Sequence, residues 1–158
     1  MRHLPKHLRP RYRYLAVEIE TWPDADFGRQ ALQDAIWSEA RTFLGDVSSA
    51  AVDLQVIEAD CWTGGGSALV RVRRDATEQA RAAIACVSSV DGQPVRIGVR
   101  GIGGTVKATE TKYCDGPPDA TGTESVSFRG ATGRAVYRTD RVDIDMNGLF
   151  VGATPREL

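Results

Sequence analysis

The chain has 158 residues, a formal net charge of −1 and 42% hydrophobic residues, which is enough for one ordinary domain with a modest appendage and a core that folds without staples. Cys61, Cys86 and Cys114 form no C-x-x-C pair and no histidine follows residue 7, so neither a zinc site nor an oxidised scaffold is supported, and the thiols are expected to be buried, reduced and structural. The chain has no long apolar run, and its basic start leads directly into a strand pattern, from which a cytoplasmic protein with no membrane association is expected.

Residues 1–13 carry Arg2, Lys6, Arg9, Arg11 and Arg13 with no acid, and Pro5 and Pro10 oppose helix, so a flexible basic arm is predicted. After Arg13, YLAVEIET alternates: Leu15, Val17 and Ile19 share one face, and Tyr14, Ala16, Glu18 and Glu20 the other, the pattern of a half-buried strand. Pro23 and Asp24 are read as opening a helix in which Leu32, Ile36, Ala40 and Phe43 recur at helical spacing, with Trp37 beside them, until Gly45 stops it. AAVDLQVIEAD, residues 50–60, predicts a second strand through Val52, Leu54 and Val56. Gly64, Gly65 and Gly66 then turn the chain into SALVRVRR, the third. Asp75 with Glu78 suggests a capping box, and Ala80, Ala83, Ile84 and Val87 make a second amphipathic helix. Asp91-Gly92 is the turn into PVRIGVRGI, the fourth strand.

The order strand, helix, strand, strand, helix, strand predicts an α+β fold. It is the ferredoxin-like or RRM-like split β-α-β unit, an antiparallel sheet with both helices on one face and the other face open. Domain boundaries are expected at 1–13 for the arm, 14–113 for the α/β domain and 114–158 for a Pro-, Gly- and Thr-rich linker carrying a possible β-hairpin at VDIDMNGLFV. Asp143 and Asp145 on that hairpin are read as solvated carboxylates with no metal role.

Period 2 decides what the open face presents. Tyr12 and Tyr14 lie opposite Leu15 and Val17; Arg71 and Arg73 point outward if Ala68, Val70 and Val72 point in; Arg96 and Arg100 do so on the fourth strand. Two tyrosines and four arginines then share a surface beside the basic arm, the pattern of a nucleic-acid interface. Ion pairing of these arginines with Glu18 and Glu20 is the competing structural role, although two carboxylates do not balance so many cations.

The stretch GVRGIGGTVKATETK, residues 98–112, invites comparison with phosphate loops. Counted from Gly101, the third position of a dinucleotide fingerprint holds Val106. A P-loop reading ends in Val106-Lys107-Ala108, without the glycine before the lysine or the hydroxyl after it. No catalytic constellation emerges either, since both histidines sit in the arm and no serine or cysteine has a placed base. The third strand, GGGSALVRV, lacks the aromatics of an RNA-recognition motif. This leaves arginine contacts to phosphate and 2′-hydroxyl groups, with Tyr12 and Tyr14 as stacking groups. A regulatory module of the same fold, binding a small metabolite, remains the alternative.

LRPRYRYLAVEIE, VRVRR and above all VRIGVRGIGGTVKATETK resemble the archaeal ribonuclease P protein component 2 family, related to a subunit of eukaryotic ribonuclease P and MRP. The most specific part is Pro94-Val95-Arg96 followed by Gly101, Gly103, Gly104, Thr105, Val106 and Lys107, and the likeness covers about residues 9–113. What the resemblance implies is a subunit of the ribonucleoprotein endoribonuclease that removes 5′ leaders from precursor tRNA, in which the catalytic RNA and its Mg2+ ions perform hydrolysis. The protein itself would carry no catalytic residue and bind no cofactor. It would pair with component 3 and other protein components.

RNA contact is expected at Arg9, Arg11, Tyr12, Arg13 and Tyr14, at Arg71, Arg73, Arg96 and Arg100, and at Gly103, Gly104, Thr105, Lys107 and Lys112. The tail after residue 113 has no counterpart in this resemblance. Residue usage, seventeen Arg against three Lys and thirteen Asp against eight Glu, points to a haloarchaeal or otherwise GC-rich host.

Overall fold

A computed structural model of the chain describes residues 3–117 and 122–158; Arg2 of the expected arm and residues 118–121 of the expected linker lie outside the described residues. The chain divides into two compact units, Met1–Pro117 and Pro118–Leu158.

The first unit is built on β1 (Tyr12–Thr21), whose alternating apolar residues make it the central strand. It pairs antiparallel with β3 (Gly65–Arg73) on one side and β5 (Gln93–Gly103) on the other. With β2 (Gln55–Trp62) and the two-residue β4 (Ser89–Val90) at the edges, the sheet order is β2-β3-β1-β5-β4. Helices α1 (Arg29–Leu44) and α3 (Thr77–Ala85) pack on one face, where Leu15, Val17, Ile19, Val70 and Val72 meet Leu32, Ile36, Ala80 and Ile84 in one core. This is the ferredoxin-like arrangement that the element order predicts.

Several boundaries differ from the sequence reading. The arm is not irregular throughout: Lys6–Leu8 form a turn of 3-10 helix behind Pro5, and the strand already starts at Tyr12. The first helix begins at Arg29, not at Pro23, because Trp22 and Phe27 are needed as buried residues in the preceding loop. Gln93 holds that loop, accepting from the Asp26 N–H at 2.8 Å and donating to the Asp26 carbonyl at 2.8 Å.

Residues expected to open the second strand form instead a short helix, α2 (Asp46–Val52), closed by Asp53 in the left-handed conformation at φ 53°. Gly65 and Gly66 belong to β3 rather than to the turn before it. No side chain caps α3, so the Asp75–Glu78 box is absent. Phe43 is 54% exposed instead of joining the core-facing stripe, and Trp37, expected beside that stripe, is 46% exposed. Cys61 and Cys86 are exposed, and only Cys114 is half-buried, where burial followed by the nearby Glu110 charge pushes its thiol up.

The largest departure concerns the second face of the sheet. A bulge between Ala16 and Val17 shifts the β1–β5 register, so Val17 opposes Val99 while Ala16 opposes Gly101. Gly101 and Gly103 therefore face away from the main core, and onto them settles α4 (Val106–Tyr113), which lies against β5 and β1. A Cβ on Gly101 would collide with the Tyr113 ring, and one on Gly103 with the Thr109 hydroxyl. Thr109 is fully buried, and its hydroxyl donates to the Thr105 carbonyl at 2.6 Å. Thr105 caps the helix by accepting from the Ala108 N–H at 3.3 Å, a contribution of about 1 kcal/mol. The face is thus partly covered, and the glycine run is what lets a helix approach it.

The second unit is a four-stranded antiparallel meander, not a single hairpin: β6 (Thr123–Phe128), β7 (Ala131–Tyr137), β8 (Val142–Met146) and β9 (Leu149–Ala153). Arg129-Gly130 and Asn147-Gly148 join its outer strand pairs, all four residues at positive φ, the geometry of two-residue hairpin turns. Phe128, Ala135, Val142, Ile144 and Ala153 form its small core.

Asp143 is not solvated. It is 1% exposed, with Arg138 Nε at 3.0 Å from one oxygen and Arg141 Nε at 3.7 Å from the other. Asp145 instead accepts the Gly148 N–H at 2.7 Å across the turn.

Two substitutions test this packing. Gly103→Ala should cost about 1–3 kcal/mol by overpacking and speed amide exchange through α4, measured by urea unfolding and hydrogen exchange. Asp143→Ala leaves the buried Arg138 without this counter-charge and should destabilise the second unit by roughly 3–5 kcal/mol, seen as protease sensitivity within β6–β9.

Candidate nucleic-acid interface

The β1–β3 register sets Tyr12 opposite Arg73 and Tyr14 opposite Arg71, so the outward tyrosines and arginines of the two central strands meet at one end of the sheet. The Arg71 guanidinium lies 4.3 Å from the Tyr12 ring centre and that of Arg73 lies 5.1 Å from it. Such contacts contribute about 0.5–1 kcal/mol each where exposed. The Tyr12 hydroxyl donates to Asp53 at 3.2 Å, and the same carboxylate oxygen faces Arg73 Nε at 3.6 Å.

Asp53 is held in place by α1. Trp37 Nε1 donates to the Leu54 carbonyl at 2.7 Å, and the buried Gln33 accepts the Val56 N–H at 2.6 Å. The chain leaving α2 is thereby fixed, and the left-handed Asp53 turns its carboxylate toward β1 and β3.

The basic residues around this end differ in their partners. Among the described residues, Arg11, Arg13 and Arg74 have no ion-pair partner, and the same holds for Lys107 on the first turn of α4. Arg71 has, among the described residues, the Tyr12 ring and no ion-pair partner, and its Nε is buried with no hydrogen bond to any of them. Arg13 reaches toward the glycine turn, its Nη1 lying 3.1 Å from where a Cβ on Gly104 would sit.

Eight residues along β1, roughly 26 Å away at the usual strand rise, the balance reverses. Arg96 pairs with Glu20 at 2.9 Å. Arg100, on the bulged segment, pairs with Asp115 at 3.0 Å and Glu18 at 3.9 Å. The structural role weighed for the fourth-strand arginines is therefore the one they occupy.

The remaining predicted residues are distributed between these ends. Arg9 donates to the Leu4 carbonyl at 3.0 Å in the arm. Gly103 is closed off by Thr109, and the Thr105 hydroxyl is engaged as the helix cap. Lys112, at the far end of α4, lies 5.2 Å from the Tyr113 ring centre. Sequence reasoning missed Asp53 because its stretch reads as strand, and missed Arg74, which follows Arg71 and Arg73 in VRVRR as one more basic residue.

A matching profile of the Rpp14/Pop5 family spans residues 13–114. The chain belongs to the Rpp14/Pop5 family. A ribonuclease P protein component 2 from Haloarcula marismortui is 51% identical over 156 residues, covering 98% of this chain and 97% of the relative. One from Natronomonas pharaonis is 48% identical over 158 residues, covering 100% and 98%. The family member of that name from Pyrococcus horikoshii is 33% identical over 113 residues, covering 72% of this chain and 91% of its own length. The haloarchaeal family members thus extend through the second unit, while the Pyrococcus protein aligns over slightly less than the length of the first. A chain in the cryo-EM structure of yeast ribonuclease MRP superposes with a TM-score of 0.49 at 12% identity, over 61% of this chain and 76% of that one.

Beside the interface, α4 brings Glu110 against Glu58 of β2. The hydrogen bond to Glu110, then its charge and some desolvation, raise the Glu58 carboxyl above its usual value. A raised carboxyl stabilises the folded state below its ordinary range, and that contribution is lost as pH rises through the raised value. Near neutral pH the two carboxylates oppose the docking of α4. Glu110→Gln should therefore slow amide exchange in α4 at about pH 7 and leave it little changed at about pH 4, by hydrogen-exchange mass spectrometry.

Proposed function

We propose that this chain acts as a protein subunit of ribonuclease P, the ribonucleoprotein that removes the 5′ leader from precursor tRNA, and that its part is to bind and support the catalytic RNA. The observation that carries this reading is the 51% identity, over 98% of the chain, to a ribonuclease P protein component 2. The arginine-rich end of the sheet supports it, because guanidinium groups with no carboxylate partner among the described residues, as at Arg11, Arg13, Arg71 and Arg74, are suited to a phosphate backbone.

In this reading the RNA meets the arm and the end of the sheet through Arg9, Arg11, Arg13, Arg71 and Arg73, with Lys107 on the adjoining first turn of α4. Tyr12 serves as a support for arginines more than as a platform for bases, since two guanidinium groups already rest against its ring. Tyr14 and Gly104 border the same end. Arg96 and Arg100 are assigned to their carboxylate pairs. Gly103 and Thr105 act by seating and capping α4. Lys112 lies outside the cluster, on the last turn of α4.

Hydrolysis then belongs to the RNA and its Mg2+ ions, with precursor tRNA as substrate of the assembled particle in the cytoplasm. Component 3 and the other protein components are the protein partners, meeting the helix surfaces or loops. Reconstitution tests this: ribonuclease P RNA with this chain and component 3 should cleave precursor tRNA at lower Mg2+ than the RNA alone. Equal Mg2+ demand with and without the proteins would reject the subunit assignment.

A further inference from the structure

The ends of β1 and β3 border an open cleft of about 430 Å3 lined by Pro10, Arg11, Arg73, Arg74 and Asp75. Its rims are tied together, since the Arg74 N–H donates to the Arg11 carbonyl at 2.9 Å, so two exposed cationic side chains leave the backbone at neighbouring points. Arg73 forms the wall and is held from behind by Asp53 at 3.6 Å and by the Tyr12 ring at 5.1 Å. Neither Arg11 nor Arg74 has an ion-pair partner among the described residues, and the acid that faces them in the cleft is Asp75. Three guanidinium groups against two carboxylates, Asp53 behind Arg73 and Asp75 on the lining, leave a net positive site in which one wall is already oriented.

We propose that this cleft is a docking site for a phosphodiester of the RNA backbone, with Arg11 and Arg74 as the contacting residues and Arg73 as an oriented third donor. Tyr12 and Asp53 act through Arg73 and are positioning residues. The inference rests on the RNA-binding reading above and sharpens it. The principal phosphate contact lies at the strand ends, where Arg11 and Arg74 have no ion-pair partner among the described residues, and not across the sheet centre, where α4 stands on Gly101 and Gly103. Guanidinium groups suit such a site because their planar forks match phosphate oxygens two at a time.

The test measures anisotropy of a labelled transcript of the ribonuclease P RNA catalytic domain, titrated with the full chain across a KCl series. Wild-type protein should bind with a steep, linear dependence of log K on log[KCl]. Arg11→Ala/Arg74→Ala should lower the magnitude of that slope by between about 1 and 2, as expected for two lost phosphate contacts. Arg41→Ala/Arg81→Ala, which removes the same charge from α1 and α3, should keep the wild-type slope. Asp75→Asn, which removes the acid from the cleft, should raise affinity severalfold.

Far-ultraviolet circular dichroism of each variant shows that the fold is retained, and Arg11→Lys/Arg74→Lys, which keeps the charge, should restore the slope while binding more weakly than wild type. Steep wild-type binding with an unchanged slope in Arg11→Ala/Arg74→Ala, or weaker binding by Asp75→Asn, would overturn the cleft and leave RNA binding standing. Wild-type protein that shows no salt-dependent binding would remove the RNA-binding reading and the cleft with it.

Discussion

Tyr12 stands opposite Arg73, and eight residues later Glu20 stands opposite Gly65. This antiparallel pairing of the two central strands sorts the charge on the second face of the sheet. Each strand is mixed when read alone, since β1 carries two tyrosines and two glutamates on one side and β3 ends in closely spaced arginines. Pairing head to tail brings the arginines of β3 to the tyrosine end of β1 and leaves Glu18 and Glu20 to the arginines of β5. A one-residue slip would send the tyrosines into the core, so the apolar residues Leu15, Val17 and Ile19 enforce the register that the basic end depends on.

The same face shows how a close approach of backbone can be mistaken for a ligand site. Glycines invite a phosphate reading because they let a bound group near the main chain. Here the group that comes near is Tyr113 and Thr109 of α4, which occupy the space above Gly101 and Gly103. A helix standing on the sheet removes much of the platform on which bases are stacked in RNA-recognition motifs, and it places Lys107 toward the end where Arg13 and Gly104 meet. On the proposed function, the interface is accordingly a cluster of guanidinium groups at strand ends, with Tyr12 as their support.

The second unit follows different physics. Its apolar core is small, and a carboxylate lies within it between two arginines. Burying such a group costs solvation that the ion pairs offset only if the geometry is held, and here β7 and β8 carry it on paired strands linked by the Arg138 N–H to Arg141 carbonyl bond of 2.8 Å. Haloarchaeal relatives run through this unit, whereas the Pyrococcus relative spends 91% of its own length on 113 aligned residues. The meander thus lies outside residues 13–114, the part that the family profile matches, and outside the ferredoxin-like core.

Local pattern determined a good deal of this protein. The period-2 alternation of β1, β3 and β5 placed Leu15, Val70 and Ile97 inward and Tyr12, Arg71 and Arg96 outward; the Asp91-Gly92 turn and the helical spacing of Ala80, Ala83 and Ile84 completed the element order, and with it the fold. These features depend on residues near one another in the chain, where spacing alone carries the information. What depended on contacts between distant segments was decided by tertiary structure. Phe27 had to reach the core before α1 began; Asp53 came to Tyr12 only because Gln33 and Trp37 hold the chain after α2; α4 found its seat because a bulge turned Gly101 to the right face. Which arginines are neutralised is of the same kind. Arg96 and Arg71 are alike in the sequence, both outward on a strand, and they differ because one lies beside Glu20 and the other beside Tyr12.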